Sequence, residues 1–303
     1  LVRYVLETPM ADGLRISYQP PEELPSQAAR PEDDPWDFWV FRVGANTNTK
    51  EEQRQDSQSF FGRLSASRVT EEWKINLGVS GSYNSTNFEL EDGEIFTDVN
   101  RNYRFGSSII KSLGSHWGAG GGAGARQSTF LNLDRAYRVT AAVEYNLFPY
   151  SLSSERELTF SYFVGLTQFN YEEVTIFDKL KETRANQGLI VSYELERPWG
   201  ESDIRLDYSH FLDDFSQYSA GISGYINYRI FRGFSVDLFA AASLVRNQIY
   251  LPRRNATDEE ILLRRRALET DSRYSFGLGL SYTFGSIYNN IVNSRLSRFP
   301  RIF

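Results

Sequence analysis

The chain has 303 residues and no cysteine, which excludes disulfides and thiolate metal sites. Its net charge of −6 argues against a nucleic-acid partner, because proteins that bind phosphate backbones normally present a basic surface. Aromatic residues are frequent, with 18 Tyr and 22 Phe, although the mean hydropathy is only −0.44. No long uninterrupted apolar run occurs, so the sequence predicts no membrane-spanning helix.

The first 35 residues differ in character from the rest. A short strand is predicted at 14–18, followed at 19–35 by a linker rich in Pro and acidic residues that is unsuited to a core. No basic and apolar leader opens the chain, so a secreted protein would be numbered here from a mature or trimmed start. Segment 1–35 is either a mobile periplasmic leader, or its first 18 residues are the remnant of a periplasmic domain or a segment that docks on a partner.

From 36 to 284 the sequence alternates apolar and polar residues with a period of two. The clearest stretch is 72–83, where the polar or small positions are 74, 76, 78, 80 and 82. The apolar row has an aromatic at each end, which is typical of a strand crossing a membrane between two interfaces. The residues of that row are Trp73, Ile75, Leu77, Val79, Gly81 and Tyr83.

Stretches of this kind recur along the whole region, at the length expected of a tilted membrane-spanning strand. They predict an all-β fold, a transmembrane antiparallel up-and-down β-barrel of about twelve strands; a soluble sandwich is the alternative. The predicted strands are 37–48, 57–68, 72–83, 99–111, 115–127, 137–147, 158–166, 188–196, 202–211, 218–230, 234–244 and 274–284.

The connections between these strands are predicted to alternate in length. Barrels of the outer membrane have long external loops and short periplasmic turns, so an even strand count places both termini in the periplasm. The long connections are 49–56, 84–98, 128–134, 170–187, 212–216 and 246–272. The short ones are 69–71, 112–114, 149–154, 197–201 and 231–233.

Two further segments carry local signals. In the longest loop, Thr257 and the acidic residues after it form a capping box, which predicts a short helix at 258–268. The tail 285–303 carries three arginines and several apolar residues, so it either folds under the barrel mouth or binds a periplasmic neighbour. The sequence thus predicts a periplasmic segment (1–35), a barrel (36–284) and a periplasmic tail (285–303).

Candidate catalytic residues are few, because His116 and His210 are the only histidines. His116 precedes Trp117 and is expected at the membrane interface rather than in a catalytic role. The stretch around His210 is similar to the motif of outer-membrane phospholipases A, which have Tyr two residues before the catalytic His and Ser two residues after it. Tyr208 matches, but Leu212 replaces the serine, so the sequence predicts no enzyme.

Metal and phosphate motifs are equally weak. Asp207, Asp213 and Asp214 are candidate ligands for a divalent cation, although acidic turn residues on a solvated loop are the more frequent explanation of such a cluster. The glycine run 118–124 lacks the Lys-Ser/Thr of a phosphate-binding loop and instead predicts tight curvature of a strand or close approach by an aromatic. No cofactor is predicted.

The polar positions of the strands predict the lining of the lumen. Both signs of charge are present, so the sequence indicates neither a ring of one sign nor a selectivity. The predicted lining residues are Lys74, Arg104, Arg138, Glu144, Glu194, Arg205, Arg229 and Asp237, with Arg63 and Asp207 as further candidates.

The last predicted strand, 277–284, resembles the C-terminal β-signal that the barrel-assembly machinery reads, through Gly279, Tyr282 and Phe284. It departs from that signal in having Gly277 at the polar position and in not ending the chain. The region 36–284 resembles the salt-stress-induced family of outer-membrane barrels. That resemblance implies an outer-membrane location, with lipid and lipopolysaccharide around the barrel.

Three functions remain open at this point. The first is a structural or partner-binding envelope component, with 1–35 and 285–303 as candidate contacts for a periplasmic protein. The second is a passive channel for small polar solutes. The third and weakest is a hydrolase at the external rim that uses His210.

Overall fold

A computed structural model describes residues 34–89, 93–254 and 267–285. Within them, twelve strands form one sheet in which neighbouring strands follow chain order. This antiparallel meander confirms the predicted fold class, and the described residues contain no helix long and apolar enough to cross a membrane. The strands are β1 (Trp39–Glu52), β2 (Gln55–Val69), β3 (Trp73–Glu89), β4 (Ile95–Ser112), β5 (Trp117–Ser128), β6 (Leu133–Asn146), β7 (Arg156–Tyr171), β8 (Lys181–Arg197), β9 (Gly200–Phe211), β10 (Tyr218–Phe231), β11 (Phe234–Val245) and β12 (Ser272–Tyr282).

Several strands extend well beyond their predicted ends. The predicted loop 84–98 is wrong, because residues 84–89 of β3 pair with residues 95–100 of β4. Most of these residues are polar on both faces of the ladder, so they lack the apolar alternation that marks a buried or lipid-facing strand. Pairing with the neighbouring strand still satisfies their backbone N–H and C=O groups. In the same way, the predicted loop 170–187 shortens to 172–180.

The connections are therefore less sorted by length than predicted. The predicted long loop 49–56 is wrong, since β1 and β2 are joined by Gln53 and Arg54 alone. The connection 147–155 is longer than predicted and contains a 3₁₀ turn at Tyr150–Leu152. The longest connection remains the one between β11 and β12, at 246–271. The side that carries it is called the long-loop end below, and the opposite side the short-turn end.

The two faces of the sheet differ in polarity. Large apolar side chains on one face are exposed, and one ladder of directly paired residues illustrates this across six strands. In a soluble sandwich the apolar face of each sheet is buried against the other sheet. A contiguous exposed apolar face with a polar face opposite is instead typical of a barrel embedded in lipid. The ladder runs through Val143, Tyr162, Leu189, Tyr208, Ala220 and Leu244.

Aromatic side chains cluster at the short-turn end of this apolar face. The rings of Trp117 and Tyr145 lie 4.8 Å apart, and those of Trp199 and Tyr228 lie 5.3 Å apart. His116 stacks on Tyr145, and its Nδ1 lies 2.8 Å from the carbonyl oxygen of Asn146. Such a belt is expected at a membrane interface, where amphipathic rings contact both lipid and water.

The chain divides after Trp39 into two units. The described part of the first unit begins at Asp34, whose carboxylate accepts hydrogen bonds from the backbone N–H groups of Trp36 and Phe38. The predicted strand at 14–18, the linker up to residue 33, residues 258–266 of the predicted helix and residues 286–303 of the tail lie outside the described residues.

Candidate functional site

All ten residues predicted to line the lumen lie on the polar face of the sheet. Directly paired residues of an antiparallel ladder share a face, and the register follows this face without a break from Lys74 on β3 to Ser219 on β10. Side chains of distant strands also meet over it. Lys74 on β3 lies close enough to Glu157 on β7 for an electrostatic attraction. The polar face is therefore the concave, inward one.

Carboxylates are concentrated on the inward faces of β7 to β11. Glu157, Glu194 and Asp203 lie directly opposite one another on three adjacent strands. Asp237 accepts a hydrogen bond of 2.6 Å from Asn227, whose other neighbour in the register is Glu201. Like charges placed opposite each other destabilise a sheet. This acidic sector was not predicted, because it depends on the register between strands.

Glu144 on β6 is a lumen carboxylate with two side-chain hydrogen-bond donors. It accepts a hydrogen bond of 3.0 Å from the hydroxyl of Tyr150 and a second from the hydroxyl of Ser161. Tyr150 lies in the connection between β6 and β7, so this contact folds the connection inward at the short-turn end. Burial, together with the charge of Glu144, raises the pKa of Tyr150 well above its ordinary value.

Three arginines form one line on the inward face of the first strands. Arg63 on β2, Arg104 on β4 and Arg126 on β5 lie in this line across the sheet, with Ser80 of β3 between the first two. We call these three residues the arginine row. Arg205 on β9 and Arg229 on β10 lie among the carboxylates, so the two signs of charge are only partly separated in the lumen.

Arg138 on β6 lies next to the arginine row, and the groups that it contacts among the described residues are neutral. Its guanidinium donates to the hydroxyls of Thr140 and Thr167 and lies over the ring of Phe163. Arg184 on β8 provides a contrast, because it forms ion pairs with two carboxylates. Its partners are Glu182, at 3.3 Å, and Asp213, at 2.8 Å.

The remaining predicted lining residues are placed singly. Arg205 on β9 and Arg229 on β10 project from the inward face and are exposed. Asp207 lies over Gly221 of the neighbouring strand, with its Oδ1 3.0 Å from where a Cβ would stand there. Neither arginine belongs to the arginine row.

Residues Gln248–Leu251 of the long 246–271 connection lie against the inward face at the long-loop end. We call them the inner segment. Ile249 is 2% exposed and Leu251 is 6% exposed. The ring of Tyr250 packs against a buried cluster from β6 and β7, formed by Leu133, Ala136 and Tyr171. The sequence did not predict this burial, because four residues within a loop carry no periodic signal.

Hydrogen bonds hold the inner segment in place. The backbone N–H of Ile176 donates to the carbonyl of Leu251 at 2.9 Å, and that of Arg253 donates to Val174 at 2.8 Å. The side chain of Gln248 joins the two ends of its own loop. It donates to the carbonyl of Leu268 and accepts from the N–H of Thr270.

His210 lies on the outward face of β9 and is 9% exposed. Its Nδ1 lies 3.0 Å from the carbonyl oxygen of Phe211 and its Nε2 3.0 Å from the amide nitrogen of Gln187. The carbonyl oxygen can only accept, so the contact at Nδ1 needs a proton on that nitrogen. The hydroxyl of Tyr162 completes the chain by donating to Gln187. Within the part of the chain that the structure describes, no serine or carboxylate takes part in this network.

The predicted cluster of three aspartates does not form. Asp207 points inward from β9, whereas Asp213 pairs with Arg184 and Asp214 accepts from Ser216. Among the described residues, no group of three or more His, Asp or Glu side chains is arranged to hold a metal ion. The carboxylates of this loop therefore serve local hydrogen bonds and an ion pair.

The residues of the predicted β-signal lie at the end of β12. Gly279 pairs with Asp237 of β11. Tyr282 packs edge-on against Phe234 and stacks on Phe284, with ring centroids 5.1 Å apart in the second contact. These rings extend the aromatic belt at the short-turn end.

No family model and no curated protein matches the chain. Two similar solved structures are the CymD monoaromatic hydrocarbon channel and the β domain of the Bordetella autotransporter BrkA. The first has 11% identity and a TM-score of 0.36, over 69% of this chain and 75% of the channel. The second has 11% identity and a TM-score of 0.34, over 81% of this chain and 98% of that domain. Membership of the salt-stress-induced family stays a prediction.

Proposed function

We propose that the chain is an outer-membrane β-barrel that closes its own lumen and serves the envelope as a structural or partner-binding component. The observation that carries this proposal is the inner segment, in which Ile249 and Leu251 are buried and Tyr250 packs against the inward cluster of β6 and β7. A segment anchored in this way at the long-loop end obstructs a polar passage. The barrel performs no chemistry in this proposal.

The surroundings of the barrel follow from its surfaces. Lipid and lipopolysaccharide cover the outward apolar face. The barrel-assembly machinery recognises the final strand through Gly279, Tyr282 and Phe284 during insertion. The flanks 1–35 and 285–303 are the segments we assign to a periplasmic protein partner.

The second candidate is a passive channel for small polar solutes. It is favoured by the inward side chains of Lys74, Arg104 and Glu194, which are exposed. An open channel would require the inner segment to leave the inward face. A hydrolase is the weakest candidate, because His210 is hydrogen-bonded to an amide and a backbone carbonyl.

Conductance in planar bilayers separates the first two candidates. The wild-type protein should give no steady current, whereas a variant with Ile249→Ser and Leu251→Ser should conduct, because the inner segment loses its apolar contacts. Leu268→Ser is the matched control, since Leu268 lies in the same loop but is exposed. Heat-modifiable migration on gels verifies that each variant folds. Steady conductance of the wild type would overturn the closed lumen in favour of the channel.

The location is tested separately. Fractionation of the native host should recover the protein in the outer membrane, with migration that changes on boiling, as expected of a folded barrel. Recovery in the soluble periplasmic fraction would contradict the proposal.

A further inference from the structure

The strongest unexplained feature of the lumen is the unpaired charge of the arginine row. Arg104 and Arg126 lie directly opposite each other and repel electrostatically. Within the described residues, neither they nor Arg63 and Arg138 lie within ion-pair distance of a carboxylate. Like charges placed opposite each other on a sheet cost stability, so some other interaction is expected to offset them.

The hydrogen-bonding capacity of these arginines is also largely unused. Arg104 donates through Nε to Asn102 at 3.4 Å, a long contact within its own strand. The Nε of Arg126 is buried and has no hydrogen-bond partner among the described residues. A buried donor without a partner costs stability until an acceptor reaches it. The acceptor that an arginine donor binds best is an oxyanion.

Space for such an acceptor lies directly beside the row. The next line of inward residues across β2 to β6 contains three glycines in succession and ends at Arg138. At Gly78 and Gly106 no atom lies within 4 Å of where a Cβ would stand. The result is a shallow trough without side chains, bordered along one side by guanidiniums. The line consists of Ser65, Gly78, Gly106, Gly124 and Arg138.

We propose that this trough binds a small oxyanion, a phosphate or a soluble phosphate ester, between the arginine row and Arg138. The planar guanidiniums offer paired N–H donors that match the oxygens of a phosphate. Bound phosphate also neutralises the repulsion between Arg104 and Arg126. This site rests on the proposed function only because it faces the lumen. It adds to that function the class of ligand that the closed lumen binds.

Calorimetric titration of the folded protein in neutral detergent tests the site with inorganic phosphate. The wild type should bind, and Arg126→Gln should weaken binding about tenfold or more, because both the charge and the fork of donors are lost. Gly106→Val should weaken binding to a similar degree by filling the trough without removing a charge. Arg229→Gln is the matched control, since this lumen arginine lies outside the row, and it should bind as the wild type does.

A stability measurement separates a binding role from a structural one. Without phosphate, Arg104→Gln should raise the melting temperature, because the variant removes a repulsion. With phosphate, the wild type should gain more in melting temperature than this variant does. An arginine that served only the fold would instead lower the melting temperature when replaced.

Three results would overturn the site. They are no phosphate binding by the wild type at millimolar concentration, equal weakening by Arg229→Gln, and binding of a short-chain phosphatidate in the absence of phosphate binding. The last result would indicate a lipid headgroup as the ligand. Steady conductance by the wild type would overturn the closed lumen and leave these binding results unchanged, so the two proposals fail separately.

Discussion

The hydroxyl of Tyr150 donates a hydrogen bond of 3.0 Å to Oε1 of Glu144, which ties the connection between β6 and β7 to the inward face of β6. A carboxylate held in the lumen needs donors, and Glu144 has two, from Tyr150 and Ser161. The same contact keeps the connection 147–155 folded inward at the short-turn end. It therefore links a loop conformation to a lumen charge.

Replacing Tyr150 with Phe should destabilise the barrel by about 1–3 kcal/mol, because Glu144 loses a donor while it stays partly buried. Unfolding by urea in detergent micelles measures the change. Tyr137→Phe is the control, since Tyr137 is exposed on the outward face and should tolerate the loss of its hydroxyl. Equal stability of the two variants would show that the contact with Glu144 adds nothing.

Gly122 on β5 tests how closely β4 and β5 approach each other. A Cβ at this position would stand 2.6 Å from the backbone carbonyl oxygen of Ser107 on β4. Gly122→Ala should therefore cost about 1–3 kcal/mol, because a backbone atom cannot move aside as a side chain would. Gly106→Ala meets nothing within 4 Å and should be close to neutral. Urea unfolding of the two variants should separate them, and a neutral Gly122→Ala would contradict this close approach.

The sequence predicted the strands well wherever one side of each strand was apolar. The stretch 72–83 lies within β3 because lipid-facing and inward residues alternate there. Residues 84–89 were predicted as a loop, because polar residues on both faces leave no period to detect. The glycine run 118–124 was expected to allow tight curvature or close approach by an aromatic; the groups that come close at Gly120 and Gly122 are backbone carbonyls of β4.

The arrangement of the lumen could be predicted only in part. Because side chains alternate between the two faces of a strand, the sequence could place Lys74 and Arg104 on the inward face. That Arg104 lies directly opposite Arg126 depends on the register between β4 and β5. Register is set by the turns and by the whole ladder, which a single strand does not encode. The burial of Ile249 depends on contacts with loops distant in sequence, so no local pattern could indicate it.

His210→Ala should leave lipid hydrolysis at the background level of the wild type, because no nucleophile joins the network of His210 and Gln187. The same variant should lose about 1–3 kcal/mol of stability, since the amide of Gln187 loses its acceptor in a buried setting. A lipase assay and urea unfolding measure the two effects. Lipid hydrolysis by the wild type that disappears in the variant would contradict this prediction and support a hydrolase that uses His210.

Asp214 in the connection between β9 and β10 should make stability depend on pH in the acid range. Hydrogen bonds from the hydroxyl and N–H of Ser216 lower the pKa of this carboxyl below its ordinary value of 3.8. A lowered pKa means that the ionised form is favoured by folding. Asp214 therefore stabilises the fold at pH values above the pKa that its carboxyl has in the unfolded chain. This stabilisation is lost as the pH falls through the pKa of Asp214 in the folded protein.

Ser216→Ala should therefore raise the pKa of Asp214 towards 3.8, because both the hydroxyl and the geometry that it fixes are lost. Carbon NMR of labelled aspartate carboxyls in micelles measures the titration. Ser216→Thr keeps the hydroxyl and should preserve the low value. An unchanged titration in Ser216→Ala would mean that the lowered pKa of Asp214 has another cause. The charge of Arg184 would then be tested next, because it also lowers this pKa.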